Sequence, residues 1–62
     1  MSADHYLAGP CEGISLHTDG KFLTIKDRSG REKERTYSCD DDKHASESLW
    51  RWRDILYNRY VS

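Results

Sequence analysis

The chain is expected to fold as an α+β domain: a three-stranded antiparallel sheet with one C-terminal helix packed on a face. Three observations predict this. Short β-forming runs between residues 13 and 38 are divided by glycine-bearing turns. Residues 43–60 hold neither Gly nor Pro and repeat their apolar side chains at helical spacing. And 62 residues are enough for one small domain with a single core, and no more.

Residues 1–12 read as a loosely held N-terminal segment, with Gly9-Pro10 as a breaker. Residues 13–38 read as the sheet. Gly13 precedes Ile14-Ser15-Leu16-His17, in which Ile14 and Leu16 point to one side. Thr18-Asp19-Gly20 carries the Asp-Gly pair, a strong hairpin signal. Residues 22–26 form the second strand, with Leu23 and Ile25 on one face and Phe22, Thr24 and Lys26 on the other. Asp27-Arg28-Ser29-Gly30 is the second turn. The third strand spans about residues 32–38, with Lys33, Arg35 and Tyr37 on one face. Its polarity marks it as an edge. The helix covers residues 41–60. Asp41 or Asp42 suits the N-cap, where acids meet the positive end of the helix dipole. Ala45, Leu49, Trp52, Ile55, Leu56 and Tyr60 form the apolar stripe. Trp50, Tyr57 and Val61 lie about 120° round the helix from it.

Composition narrows the function. A core this small supplies roughly 3–5 kcal/mol of net stability. That leaves little for a strained, buried catalytic site, so the chain is expected not to be an enzyme and to carry no cofactor. Charged residues make up 34%, yet two Trp, four Tyr and periodic Leu and Ile argue against disorder. No apolar run reaches the roughly 18 residues of a membrane span. Met1-Ser2-Ala3-Asp4-His5 has neither a basic region nor an apolar run, so no signal peptide is expected and a cytoplasmic protein is the default. Two cysteines do not make a secreted disulfide framework. The net charge of −1 hides four blocks: −3 over residues 1–20, +3 over 21–35, −3 over 36–48 and +2 over 49–62. Such asymmetry suits either a polar binding surface or an ordinary solvated one.

Few motifs carry chemistry. Cys11, His17, Cys39 and His44 are zinc-ligand types, but their spacings of six and five exceed those of a usual knuckle. Two small buried cysteines and two surface histidines explain them without a metal. Cys39, His44 and Asp41 could be assembled into a nucleophile set, but no oxyanion motif frames them. Asp40-Asp41-Asp42 lacks the glycine and distal Glu of a calcium loop, and capping accounts for it. No phosphate-binding glycine pattern is present.

Two macromolecular readings remain. In one, a sheet face presents Phe22, Thr24 and Lys26 near Lys33, Arg35 and Tyr37, with Arg28 and Arg31 at the turn. Such a basic hairpin would neutralise phosphates and enter a DNA groove. Against it stand Asp27, Glu32 and Glu34 and the low overall charge. In the other, preferred reading, Trp50, Arg53, Tyr57 and Val61 form a partly exposed helix flank that docks a protein partner. Aromatics and Arg are enriched in interface hot spots. The bland alternative has Tyr6 and Leu7 of the N-terminal segment covering Trp50. A homodimer through the same flank is a third outcome.

The arrangement also resembles the three-strand-plus-helix domain of the AP2 and phage-integrase amino-terminal type. The similar stretch covers about residues 13–56. It includes Gly13-Ile14, Gly20-Lys21-Phe22-Leu23-Thr24-Ile25, and Ser38-Cys39-Asp40-Asp41 leading to Ala45. It departs from that pattern at Cys39, where the family has an aromatic, and at Ser46, where it has alanine. The resemblance implies DNA contacts from Phe22, Thr24, Lys26, Lys33 and Arg35. In size and strand order the chain is also similar to small phage-encoded inhibitors, including some anti-CRISPR proteins, which implies a regulator acting by protein binding.

Overall fold

The computed structural model describes residues 2–61; Met1, first in the segment read as loose, and Ser62 lie outside the described residues. Among the described residues there are four strands, β1 (Ser2–Tyr6), β2 (Ile14–Asp19), β3 (Phe22–Asp27) and β4 (Arg35–Ser38), and one helix, α1 (Asp42–Val61). A single 3-10 turn, Gly9–Cys11, lies between β1 and β2. The strands form an antiparallel meander in the order β1-β2-β3-β4. The class is α+β, with the helix across one face of the sheet.

The expected sheet gains a strand. Residues 2–6 pair along their whole length with β2, so the N-terminal segment is an edge strand and not a loose tail. The run Ser-Ala-Asp-His-Tyr has no β-branched residue, and on propensity alone it is a poor strand. It forms because β2 offers a free edge and because the chain beyond it is tied down. The Leu7 amide donates to the Ile14 carbonyl at 3.0 Å, and the Leu7 side chain is buried.

β2 and β3 meet through a two-residue loop, Gly20-Lys21, with Asp19 opposite Phe22. Gly20 has φ +59, and no described non-glycine residue has a positive φ. A glycine at the first central position with an ordinary residue after it matches the type II′ hairpin. The expected alternation holds here. Leu16 faces Ile25 and Thr18 faces Leu23, and all four are buried under the helix. With Ile14, Leu7, Cys11, Leu49 and Leu56 they make the core.

β4 is shorter than the expected 32–38, and the cause is Glu32. Its amide donates to Asp27 Oδ2 at 2.9 Å and not to a ladder, and its side chain turns under the end of the helix. Register also corrects the face assignment. Arg35 sits opposite Ile25 and Tyr37 opposite Leu23, so both share the helix side. Phe22, Thr24 and Lys26 lie on the open side.

The helix begins as its acids suggest. Asp41 Oδ1 accepts the His44 amide at 2.8 Å, and the Asp41 carbonyl accepts the Ala45 amide at 3.0 Å. Asp41 is thus the N-cap. Ala45, Leu49 and Leu56 are buried, Trp52 and Tyr60 are half-buried, and Ile55 turns outward. The helix packs on β2, on the 3-10 turn and on β3. No helix among the described residues is long and apolar enough to cross a membrane.

Candidate functional site on the helix flank

The helical repeat sets Trp50, Arg53 and Tyr57 in a row along one flank, with Val61 a turn further on. The first strand lies beside this flank. Through the β1–β2 register, His5 sits opposite Leu16 on the helix side, and its ring meets the Trp50 ring edge-on, centroids 5.1 Å apart. Trp50 still exposes 54% of its surface, and Val61 64%. The Arg53 guanidinium lies between two rings, 5.8 Å from the Trp50 centroid and 5.1 Å from that of Tyr57. Its Nε is buried without a hydrogen-bond partner, and Nη1 approaches Asp54 at 3.6 Å. Tyr57 is the inner member of the row. It packs on the core, and its hydroxyl accepts the Ala8 amide at 3.1 Å.

The outcome combines the two sequence readings of this surface. The N-terminal segment does reach the flank, but through His5 and Ala8. Leu7 goes into the core and Tyr6 points to the opposite face, 73% exposed. Trp50 is supported on one edge and open on the rest. His5 carried no sequence signal, because a lone His in a polar run has no periodicity to place it.

The other flank is closed. Glu32 is buried and accepts from Arg35 Nη2 at 3.1 Å, from Arg59 Nη1 at 3.0 Å and from the Tyr60 hydroxyl. Burial pushes its carboxyl up, but the hydrogen bonds from Tyr60, Arg35 and Arg59 outweigh it and hold the value below the ordinary one. Trp52 stacks on Tyr37 at 5.5 Å, with the Arg35 guanidinium 5.2 Å from the Trp52 centroid. Arg31 donates to the Pro10 and Glu12 carbonyls, both at 2.7 Å, and lies 4.9 Å from the Tyr60 ring centroid.

These bonds divide the residues assigned to a basic hairpin. Arg31 and Arg35 are engaged within the molecule, and Arg35 and Tyr37 are on the helix side. Lys33 is exposed in the irregular stretch before β4. Phe22, Thr24 and Lys26 stay together on the open face, where Phe22 is 51% exposed and Thr24 bonds Thr36 at 3.1 Å. Lys26 and Arg28 line a cleft of about 490 Å³ together with Tyr6, Ser15, Glu12 and Glu34.

The four residues considered for zinc are scattered. Cys11 is buried and its thiol donates to the Leu56 carbonyl at 3.4 Å. Cys39 lies near Ser48, two helical turns away, which is about 12 Å at the helical rise. That gap also rules out a Cys11–Cys39 bridge in this fold. His17 is on the open face, bonded to Asp4 and Ser15. His44 accepts the Asp40 amide at 3.2 Å. Among the described residues no group of three or more His, Cys, Asp or Glu side chains is arranged to hold a metal ion. Comparison with protein-family models, with curated proteins and with solved structures finds no match to the chain.

Proposed function

We propose that the chain is a small regulatory protein that binds a protein partner through the flank of α1, with Trp50 as the anchor and Arg53 beside it. The supporting observation is an indole more than half exposed, fixed on one edge by His5 and flanked by a guanidinium held between two rings. A pre-ordered aromatic loses little rotamer freedom when a partner covers it. Trp and Arg are also the side chains that most often carry interface energy. Val61 extends the apolar area, while Tyr57 braces Arg53 from below. The more specific form of the reading, a phage or mobile-element inhibitor, draws on size alone, since β1 adds a strand to the three-strand order on which that likeness rested.

The test is affinity capture with partner identification, run in parallel with Trp50→Ala and Arg53→Ala variants of unchanged far-UV spectrum. Loss of a hot-spot Trp costs about 2 kcal/mol or more, roughly a thirtyfold weakening. A partner retained equally by wild type and both folded variants contradicts the reading.

A second reading, DNA binding, draws on the open face, where exposed Phe22 and Tyr6 accompany Lys26. It expects micromolar binding to short duplex DNA that falls steeply with salt and flattens in Lys26→Ala. Absence of binding at low salt removes it.

A further inference from the structure

On the sheet face turned away from the helix, Asp4, His17 and Ser15 form one hydrogen-bonded chain. The β1–β2 register sets Asp4 opposite His17, and Ser15 lies two residues before His17 on the same side of β2. Asp4 Oδ1 is 2.8 Å from His17 Nδ1, and His17 Nε2 is 2.7 Å from Ser15 Oγ. A carboxylate only accepts, so Nδ1 carries the ring proton, and in the neutral imidazole the Nε2 lone pair faces the Ser15 hydroxyl. Tyr6 packs edge-on against the His17 ring, with centroids 5.8 Å apart, and fixes its plane. On the other side of Ser15, the β2–β3 register sets Lys26 directly opposite. Ser15, Tyr6 and Lys26 all line the cleft of about 490 Å³.

A nucleophile bonded to a base, a base oriented by a carboxylate, and a cation lining the same cleft are the parts of an acyl-transfer site. We propose that Ser15 is an acyl-accepting nucleophile activated by His17, and that the cleft takes small carboxylic esters. The activity goes beyond partner binding, departs from the expectation of no catalysis drawn from chain size, and uses a different face of the molecule.

Ser15 Oγ attacks the ester carbonyl carbon as its proton passes to His17 Nε2. The Lys26 ammonium is the cation suited to the oxyanion that forms. The carbon–oxygen bond to the alcohol then breaks. The alkoxide leaves with the proton from Nε2, and the acyl group stays on Ser15. Water attacks the acyl carbon and gives a proton to Nε2, which returns it to Ser15 Oγ as the acid departs. Ester and water become acid and alcohol, with no other reactant. Asp4 touches no reacting atom. It is a positioning residue that holds the Nδ1–H tautomer and steadies the imidazolium.

The test uses the whole chain with a fluorophosphonate probe and with p-nitrophenyl acetate. One adduct per chain, mapped to Ser15 by peptide mass and lost in Ser15→Ala, is the expected result. His17→Gln slows labelling about a hundredfold, the usual scale for a general base. Asp4→Asn lowers kcat for the acetate by about tenfold or more with KM unchanged, and Asp4→Glu recovers part of it, which a purely structural role does not produce. Because the adduct is mapped on the wild-type chain, the test stands even where a variant unfolds. An adduct on Tyr6 or Lys26, no adduct at all, or hydrolysis equal in wild type and folded Ser15→Ala overturns the proposal.

Discussion

Glu32 joins the sheet edge to the end of the helix through one carboxylate. It holds Arg35 from β4 and both Arg59 and Tyr60 from α1. Removing one partner of a buried pair costs about 3–5 kcal/mol when the others are left unpaired. Arg59 is 47% exposed and can rehydrate, so Glu32→Ala is expected near the bottom of that range, about 3 kcal/mol. Urea unfolding measures it, and a change under about 1 kcal/mol, the scale of a surface pair, contradicts the assignment. Asp27 is the second such residue. Burial raises its carboxyl, but hydrogen bonds from the Ser29 hydroxyl, the Ser29 amide and the Glu32 amide, with the Arg31 charge, bring it from 3.8 to about 2. The folded value is the lower one, so its contribution is in place above about pH 4 and is lost as pH falls toward about 2. Asp27→Asn is expected to flatten the acid-unfolding curve in that window, read by far-UV circular dichroism. Neither role was legible in the sequence. Glu32 read as one polar residue in an edge strand and Asp27 as a turn former, because alternation gives direction but not depth. Cys11 was legible: it is buried as expected, and burial pushes its thiol up.

At the scale of elements, the helix and the central hairpin followed from periodicity and turn chemistry, and the first strand did not. Leu16, Leu23 and Ile25 alternate cleanly, and Gly20 supplies the one positive φ that the hairpin needs. The helix start rests on Asp41. Replacing an N-cap Asp by Ala costs about 1 kcal/mol, so Asp41→Ala is expected to lower the free energy of urea unfolding by that amount, while Asp40→Ala is close to neutral. β1 hides in a polar run, because a two-sided edge strand needs no apolar face of its own. Its anchor is the next residue. Leu7→Ala is expected to cost about 3 kcal/mol, most of the stability of a domain this small. Hydrogen exchange on the Ala3 and His5 amides, which pair with β2 in step with the Leu7 amide, follows the consequence: in Leu7→Ala they exchange faster than the paired amides of β3. Equal protection contradicts the view that Leu7 holds the strand. The register of β4 on β3 corrects the basic face. A third strand of alternating polar residues carries no signal for which side meets the helix, and Leu23 opposite Tyr37 decides it.

At the scale of the whole molecule, the helix divides the surface into a closed flank, an open flank and an open sheet face. The closed flank spends Arg31, Arg35 and Arg59 on internal carboxylates and carbonyls, which lowers the charge left for phosphates. The open flank leaves Trp50 and Val61 in water with Arg53 held in place beside the indole. Its existence was legible from helical spacing; its support by His5 was not, since it depends on a strand the sequence concealed. The most direct test of partner binding through this flank is the affinity of an identified partner for the wild-type chain against Trp50→Ala, by titration calorimetry with folding verified on both. A loss of about thirtyfold or more is expected for Trp50→Ala, with wild-type affinity kept by Lys33→Ala on the far side. Equal affinity for wild type and folded Trp50→Ala, or a larger loss in Lys33→Ala, contradicts it.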